Sequence, residues 1–584
     1  DRSVSRGLGD VYKRQYMEFQ IILIIIVALA VFLFAKSKYD EKELLRKYNL
    51  RNDNEWGQIL DANYTQDHFQ AIKEFYYANK GTHDVDDITW NDVDMDTIFM
   101  LLNHTHSSMG EDYLYAMLRK LQVNETELKK REHFISLFQK NRNARNQLQT
   151  EFRFMGKIKE FSLYKYINMA EKIPPHNPIA SIFMSSMLLV SILLMVISVF
   201  GVLSPIYGVI LFVFTLVNNI IHYFNRKAQI EKYFQVFKYI IRMLDNAKEL
   251  TKLDIPELKD VFARINEITK QFADVERGAF LVFFDGKKGE GSFWDLSLDY
   301  VRMMFHIDLI KFDSMTKKIQ ARTSELNELY ETLGFLDAMI AVASFRTWLG
   351  EAGYCIPTLK EEKEAHIAMK HAYHPMLEKP VKNSIQADRC ILITGSNASG
   401  KSTFIKTVAI NAILAQTIHT AIAESYEASY FKVFSSMALR DDLQGHDSYY
   451  IVEIKSLKRI LEQVGDTVPT LCFVDEVLRG TNTLERIAAS AQILRTFADT
   501  NTICFAATHD LELTSILEAH YDNYHFQEEI VDNQVVFDYM LRDGKANSRN
   551  AIKLLGMMGY DDKIIKKAEE LANYFLEKGT WETV

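Results

Sequence analysis

"ILITGSNASGKSTF", residues 391–404, decides how the C-terminal part of this chain folds. An apolar run beginning at Cys390 reads as a strand, and "GKSTFIKTVAINAILAQ" reads as a helix. Between them Gly395, Gly400, Lys401 and Ser402 fit G-x-x-x-x-G-K-[ST], in the strand-to-helix setting that a phosphate-binding loop requires. Loop N–H groups and a helix N-terminus can cradle phosphate there, with Lys401 on the β and γ groups and Ser402 on Mg2+. Gly395, Ser396, Asn397, Ala398, Ser399, Gly400, Lys401, Ser402 and Thr403 are therefore the expected ATP-binding residues.

Downstream, "TLCFVDE" and "TICFAATH" read as further strands, and "SYYIVEIKSLKRILEQV" as a helix. From Cys390 onward the alternation predicts a mostly parallel sheet covered by helices, and a P-loop (ABC-type) ATPase domain is the expectation for residues 356–584. Asp475 and Glu476 close one strand at the edge that carries the loop. Asp475 is expected to hold Mg2+ together with Ser402, and Glu476 to polarise water as the catalytic carboxylate. His509 ends another strand and is expected to meet the γ-phosphate.

The rest of the chain has a different texture. Phe19 to Ala35 contains only Gln20 as a polar residue and, at about 1.5 Å per residue, is just long enough to cross a thin hydrocarbon core. Residues 17–35 are expected to be a transmembrane anchor, with a cleaved signal peptide as the rival reading. Ile179 to Leu203 and Pro205 to Ile221 predict a transmembrane hairpin over 179–225; its rival is a buried hairpin of a soluble protein. Lys36, Lys38, Arg226 and Lys227 flank these runs, so the positive-inside rule places the N-terminus outside and all long polar segments in the cytoplasm. The expected localisation is the cell membrane, with three spans. Residues 1–16 have no apolar period and read as an assembly scar.

Residues 36–84 predict a helical linker. An all-α core and lever domain is expected over 85–178 and 226–355, interrupted by the hairpin. "NHTHSSMG" reads as a tight connection containing Gly110. Phe312, Met315, Ile319, Leu326, Leu329, Leu333, Leu336 and Ile340 recur at steps of three and four, with Arg322 in the vacant slot, and predict one long helix. The complete fold class is thus mixed α and α/β. The net charge of −9 gives no whole-chain basic field, and the four widely spaced cysteines read as reduced core residues.

The order of these motifs, with "DDLQGHDSYYIVEIKSL" from Asp441, "DEVLRGTNTLER" from Asp475 and "ATHDLEL" from Ala507, resembles the ATPase domain of the MutS family. The likeness runs from about His371 to Phe575 and includes "HP" at His374 and Pro375. "LNHTHSSMGEDYLYAMLRKL" is similar to the opening of that family's helical core, and "GFLDAMIAVASF" to the end of its lever helix. The resemblance implies a homodimer with two composite ATP sites, in which Ser448 acts catalytically in trans. Ser396, Ala398 and Leu478 depart from the family pattern, the last standing where glycine is usual. No mismatch-reading domain with its Phe-x-Glu wedge is recognised, so the expectation is a membrane-anchored branch lacking that domain. Two alternatives stand beside an ATP-dependent clamp on DNA: an ATP-switched membrane scaffold that binds no nucleic acid, and an ABC-type transporter.

Overall fold

The computed structural model describes residues 42–60, 63–169, 178–199, 205–277, 300–351, 353–362, 364–396, 399–437, 449–465, 467–479, 481–531, 534–546 and 559–581, with scattered positions elsewhere. Most of the expected anchor at 17–35 lies outside the described residues, as do Asn397, Ala398 and Ser448.

The helical part is built around α1 (Ser108–Arg119), α2 (Glu125–Lys140), α3 (Pro178–Val199), α4 (Pro205–Leu250), α5 (Ile307–Gln320) and α6 (Thr323–Leu349). Ser107 caps α1 by accepting the Gly110 N–H, so the helix begins inside the stretch expected to be a connection. Gly110 sits in the first turn of α1 and serves close packing rather than a turn. A Cβ at Gly110 would lie 2.2 Å from Asp337 Oδ2, and one at Gly334 would lie 2.6 Å from the Met109 carbonyl oxygen. Asp337, fully buried on α6, accepts hydrogen bonds from the His106 and Ser107 amides and from the Ser107 hydroxyl.

The predicted long helix is two helices. Every apolar seam residue is buried, but the chain breaks at Ala321 and Arg322. Arg322 cannot fill an apolar slot, and its guanidinium turns out to pair with Asp274 at 2.8 Å. The expected linker also needs correction. Its helix Gln66–Ala78 places Ile72, Phe75 and Tyr76 in the main core, so that part belongs to the helical domain.

α3 and α4 form the hairpin, and both are long and apolar enough to cross a membrane. Their packing is inverted relative to a soluble hairpin. Ser191, Ser198, Gly208 and Thr215 are buried in the seam, and Ser181 and Ser185 are buried further along α3, Ser185 donating to the Phe305 carbonyl oxygen, whereas Phe183, Leu193, Ile210 and Phe214 face outward and are exposed. Thr215 and Ser191 hydroxyls meet at 2.8 Å across the seam. α4 then runs without interruption out of the hairpin, burying Tyr239, Ile240, Met243 and Leu244 in the helical core.

The C-terminal part contains strands β1 (Thr358–Lys360), β2 (Ile367–Ala372), β3 (Asn383–Ala387), β4 (Cys390–Thr394), β5 (Ser425–Ser429), β6 (Lys432–Ser436), β7 (Thr470–Asp475), β8 (Thr502–Ala507), β9 (Tyr521–His525), β10 (Glu528–Val531), β11 (Gln534–Phe537) and β12 (Arg542–Asp543). The main sheet has the order β12-β9-β4-β8-β7-β6 and is parallel except for β12. A second sheet, β1-β5-β2-β3, stands beside it, and β10 and β11 form a hairpin. Strict alternation sorts the main strands. Ile391, Ile393, Phe473 and Phe505 face the core shared with α7 (Lys401–Ile418) and the helical domain. Cys390, Leu392, Cys472 and Cys504 face a separate core beneath α8 (Tyr449–Leu461) and α9 (Thr483–Ala498). All four cysteines are free thiols.

Candidate nucleotide site

A parallel sheet leaves its strand C-termini and the first turns of the following helices on one edge, and the sequence-predicted residues converge there. β4 is followed by Gly395 at φ +145°, where a Cβ would lie 2.8 Å from the Phe526 carbonyl oxygen. Gly400, at φ +106°, leads into α7 without any side-chain cap, so the first amides of that helix are left to the loop. Lys401 is nearly buried and folds back to donate to the carbonyl oxygens of Gly395 and Ser396, at 2.9 and 2.8 Å. Burial holds its ammonium below the ordinary lysine value, against the raising effect of Asp475 and Glu476.

The acids stand opposite the loop. Ser402 Oγ donates to Asp475 Oδ2 at 2.5 Å, bringing the two expected metal ligands together. Asp475 Oδ1 and Ser399 Oγ are buried without a hydrogen-bond partner among the described residues, leaving oxygen atoms for a cation or a phosphate-bound shell. Glu476 Oε1 lies 2.8 Å from His509 Nε2, which is itself 3.4 Å from Lys401 Nζ. The other Glu476 oxygen is held by Arg479 Nε. Burial alone would raise the Glu476 carboxyl, but the His509 hydrogen bond and the Arg479 charge outweigh it and lower it. A cavity of about 670 Å³ joins Ser399, Gly400, Lys401, Ser402 and Thr403 to Glu476, Arg479 and His509, and continues past His374 and Phe526 to Tyr539. Ser396 faces the β10 hairpin, where its hydroxyl donates to Glu528 at 2.8 Å. The donor set fits a magnesium polyphosphate nucleotide: a lysine, uncapped helix amides, a serine hydroxyl and a carboxylate on hard-oxygen chemistry.

The turn after β7 shows how Leu478 is accommodated. Glu476 and Leu478 both take left-handed backbone, at φ +55° and +61°. For a non-glycine residue this costs about 1–2 kcal/mol, but the Leu478 side chain is almost wholly buried in the core under α8, which contributes about 1.5–3 kcal/mol. Burial wins, and the turn is kept without glycine.

Comparison with known proteins agrees with this architecture. The model of MutS domain V matches residues 391–576. Over its C-terminal third the chain is similar to the MutS family. Proteins named DNA mismatch repair protein MutS are similar to parts of this chain. That of Pseudothermotoga lettingae is 27% identical over 282 residues, covering 46% of this chain and 34% of its own length. That of Thermotoga maritima is 29% identical over 271 residues, covering 44% and 33%. That of Thermotoga petrophila is 31% identical over 219 residues, covering 36% and 27%. The chain thus spans about a third of the length of these MutS relatives.

Two residues around this site escape sequence reasoning. Arg479 lies within the quoted "DEVLRG", but its ion pair with Glu476 depends on the left-handed turn. Glu453 had a visible signal: it shares a helical face with Leu457 and Ile460, four and seven residues on, and both of those are buried.

Proposed function

We propose that this protein is a membrane-anchored MutS-type ATPase, a homodimeric clamp whose ATP cycle acts on DNA near the membrane. The observation that carries the reading is the joining of the phosphate loop, Asp475, Glu476 and His509 to a helical lever in one continuous core. Asp475 and Ser402 would hold Mg2+, which supplies charge neutralisation on the phosphates. Lys401 binds and orients the terminal phosphates, giving up its loop carbonyls in exchange. Glu476 accepts a proton from the attacking water, and His509 steadies the carboxylate from the phosphate side. The resemblance adds Ser448 of the second subunit as the residue completing each site.

The membrane reading rests on the inverted hairpin. Exposed Phe183, Leu193, Ile210 and Phe214 would be costly against water, whereas a seam of serine, threonine and glycine is how helices associate in lipid. A cysteine probe at Ser204 should be labelled from outside intact cells, and one at Lys252 should not. Labelling at Lys252 would overturn the orientation.

One observation favours a protein ligand instead of DNA. The net charge is −9, and the lever region carries no basic excess. A salt-resolved titration of the detergent-solubilised protein with duplex DNA separates the two. A clamp on DNA gives affinity that falls linearly on a log–log plot as salt rises, and responds to ATP. Absence of salt-dependent binding assigns the clamp to a protein partner.

A further inference from the structure

Glu453 lies on α8, 3% exposed, in a layer of apolar side chains between that helix and the sheet. Such a carboxylate needs donors, and it has two. Its Oε1 accepts the Leu478 amide, and its Oε2 accepts the Arg479 amide at 3.1 Å. Both amides belong to the turn that holds Glu476 and Leu478 in left-handed backbone. The same turn is tied elsewhere by weaker means: the Glu476 amide donates to the Ala507 carbonyl oxygen at 2.9 Å, and Ser490 Oγ donates to the Val477 carbonyl oxygen at 3.2 Å. Among the described residues the one carboxyl group bonded to its backbone is Glu453, which burial pushes up against the pull of these two amides; in its ionised form its hydrogen bonds are charge-assisted and roughly twice as strong as neutral ones. Arg479 is therefore gripped at both ends, its amide by Glu453 and its guanidinium by Glu476.

We propose that Glu453 is a positioning residue for hydrolysis, clamping the turn after β7 so that Glu476 presents its carboxylate between His509 and Arg479. The assignment rests on the ATPase reading above. It also gives α8 a task. This helix follows Ser448 directly in the chain, so the residue expected to act on the partner's nucleotide and the residue that sets the chain's own hydrolytic turn lie on one short segment. A shift of α8 that moves Glu453 relaxes the left-handed turn, and Glu476 with it.

Glu453→Gln tests this in the full chain in detergent. The amide keeps the volume but offers one acceptor oxygen where two donors point. The steady-state kcat should fall by about tenfold or more, the loss expected when a buried donor goes unpaired. The dissociation constant for ATP should stay within about threefold, since the phosphate loop is untouched. Backbone amide exchange in the peptide spanning 474–479 should quicken by about tenfold. Glu453→Asp, which keeps the charge on a shorter arm, should recover part of kcat. Unchanged kcat together with unchanged amide exchange would overturn the proposal. So would a fall in ATP affinity in step with kcat, because Glu453 would then be supporting the domain as a whole. A wild-type chain that binds ATP without hydrolysing it would refute the ATPase reading instead, and the exchange measurement would still decide whether Glu453 clamps the turn.

Discussion

Glu476→Gln should leave ATP bound and stop its turnover, lowering kcat by about a hundredfold or more, in the range attributed to a lost general base. Lys401→Ala should instead weaken ATP binding itself. The two substitutions separate because the two side chains do different things in the structure. Lys401 donates to the carbonyl oxygens of Gly395 and Ser396, inside the loop that receives phosphate. Glu476 stands across the cavity, engaged by His509 at 2.8 Å and by Arg479. Glutamine preserves the size of the side chain and one acceptor but has no basic carboxylate. Equal hydrolysis rates in Glu476→Gln and the wild type would sink the role given to that residue. The lowered carboxyl of Glu476 adds a pH signature. It is already ionised at neutral pH, so the proton-accepting form persists as pH falls to a lower pH than for an ordinary glutamate.

How much of this was legible in the sequence follows from how local each signal is. The phosphate loop depends on glycines and a lysine at fixed spacing, and the strands on unbroken apolar runs; both are properties of a few adjacent residues. The hairpin was legible for the same reason. The break at Arg322 was not, because the seam pattern continues straight through it, and only the position of Asp274 shows where the guanidinium goes. Gly110 was misread as a turn because nothing nearby in sequence reveals that the Asp337 carboxylate will press against it. Leu478 stands in left-handed backbone, and its compensation lies in burial under α8, a tertiary fact. Glu453 and Arg479 fall in the same class, since both act through a turn whose left-handed backbone no local residue preference announces.

The second large effect concerns the joint between lever and ATPase. Arg346, near the end of α6 and 1% exposed, donates to both carboxylate oxygens of Glu132 on α2, at 2.9 and 2.6 Å. It also donates to Thr420 Oγ1 at 2.9 Å and to the His419 carbonyl oxygen at 2.7 Å, just beyond the C-terminus of α7. Three elements therefore meet on one guanidinium, and its charge faces the negative end of the helix that starts at the phosphate loop. Arg346→Met removes the cation and leaves Glu132 with the His419 ring at 3.2 Å and the Ser136 hydroxyl at 2.9 Å. Breaking a buried pair from one side costs about 3–5 kcal/mol, which thermal or denaturant unfolding would register directly. The double variant Arg346→Met, Glu132→Leu should be less destabilised than Arg346→Met, since neither charge is then stranded. The pH dependence fixes the sign. Burial pushes the Glu132 carboxyl up, but hydrogen bonds from His419 and Arg346 outweigh it and bring it down to about 2, below the unfolded value of 4.5. Its contribution is therefore complete above the unfolded value and is lost as pH falls toward the folded one. Glu132→Gln should remove that part of the acid-unfolding slope while lowering stability at neutral pH, and a variant as stable as the wild type at pH 7 would show that the joint is held by packing alone.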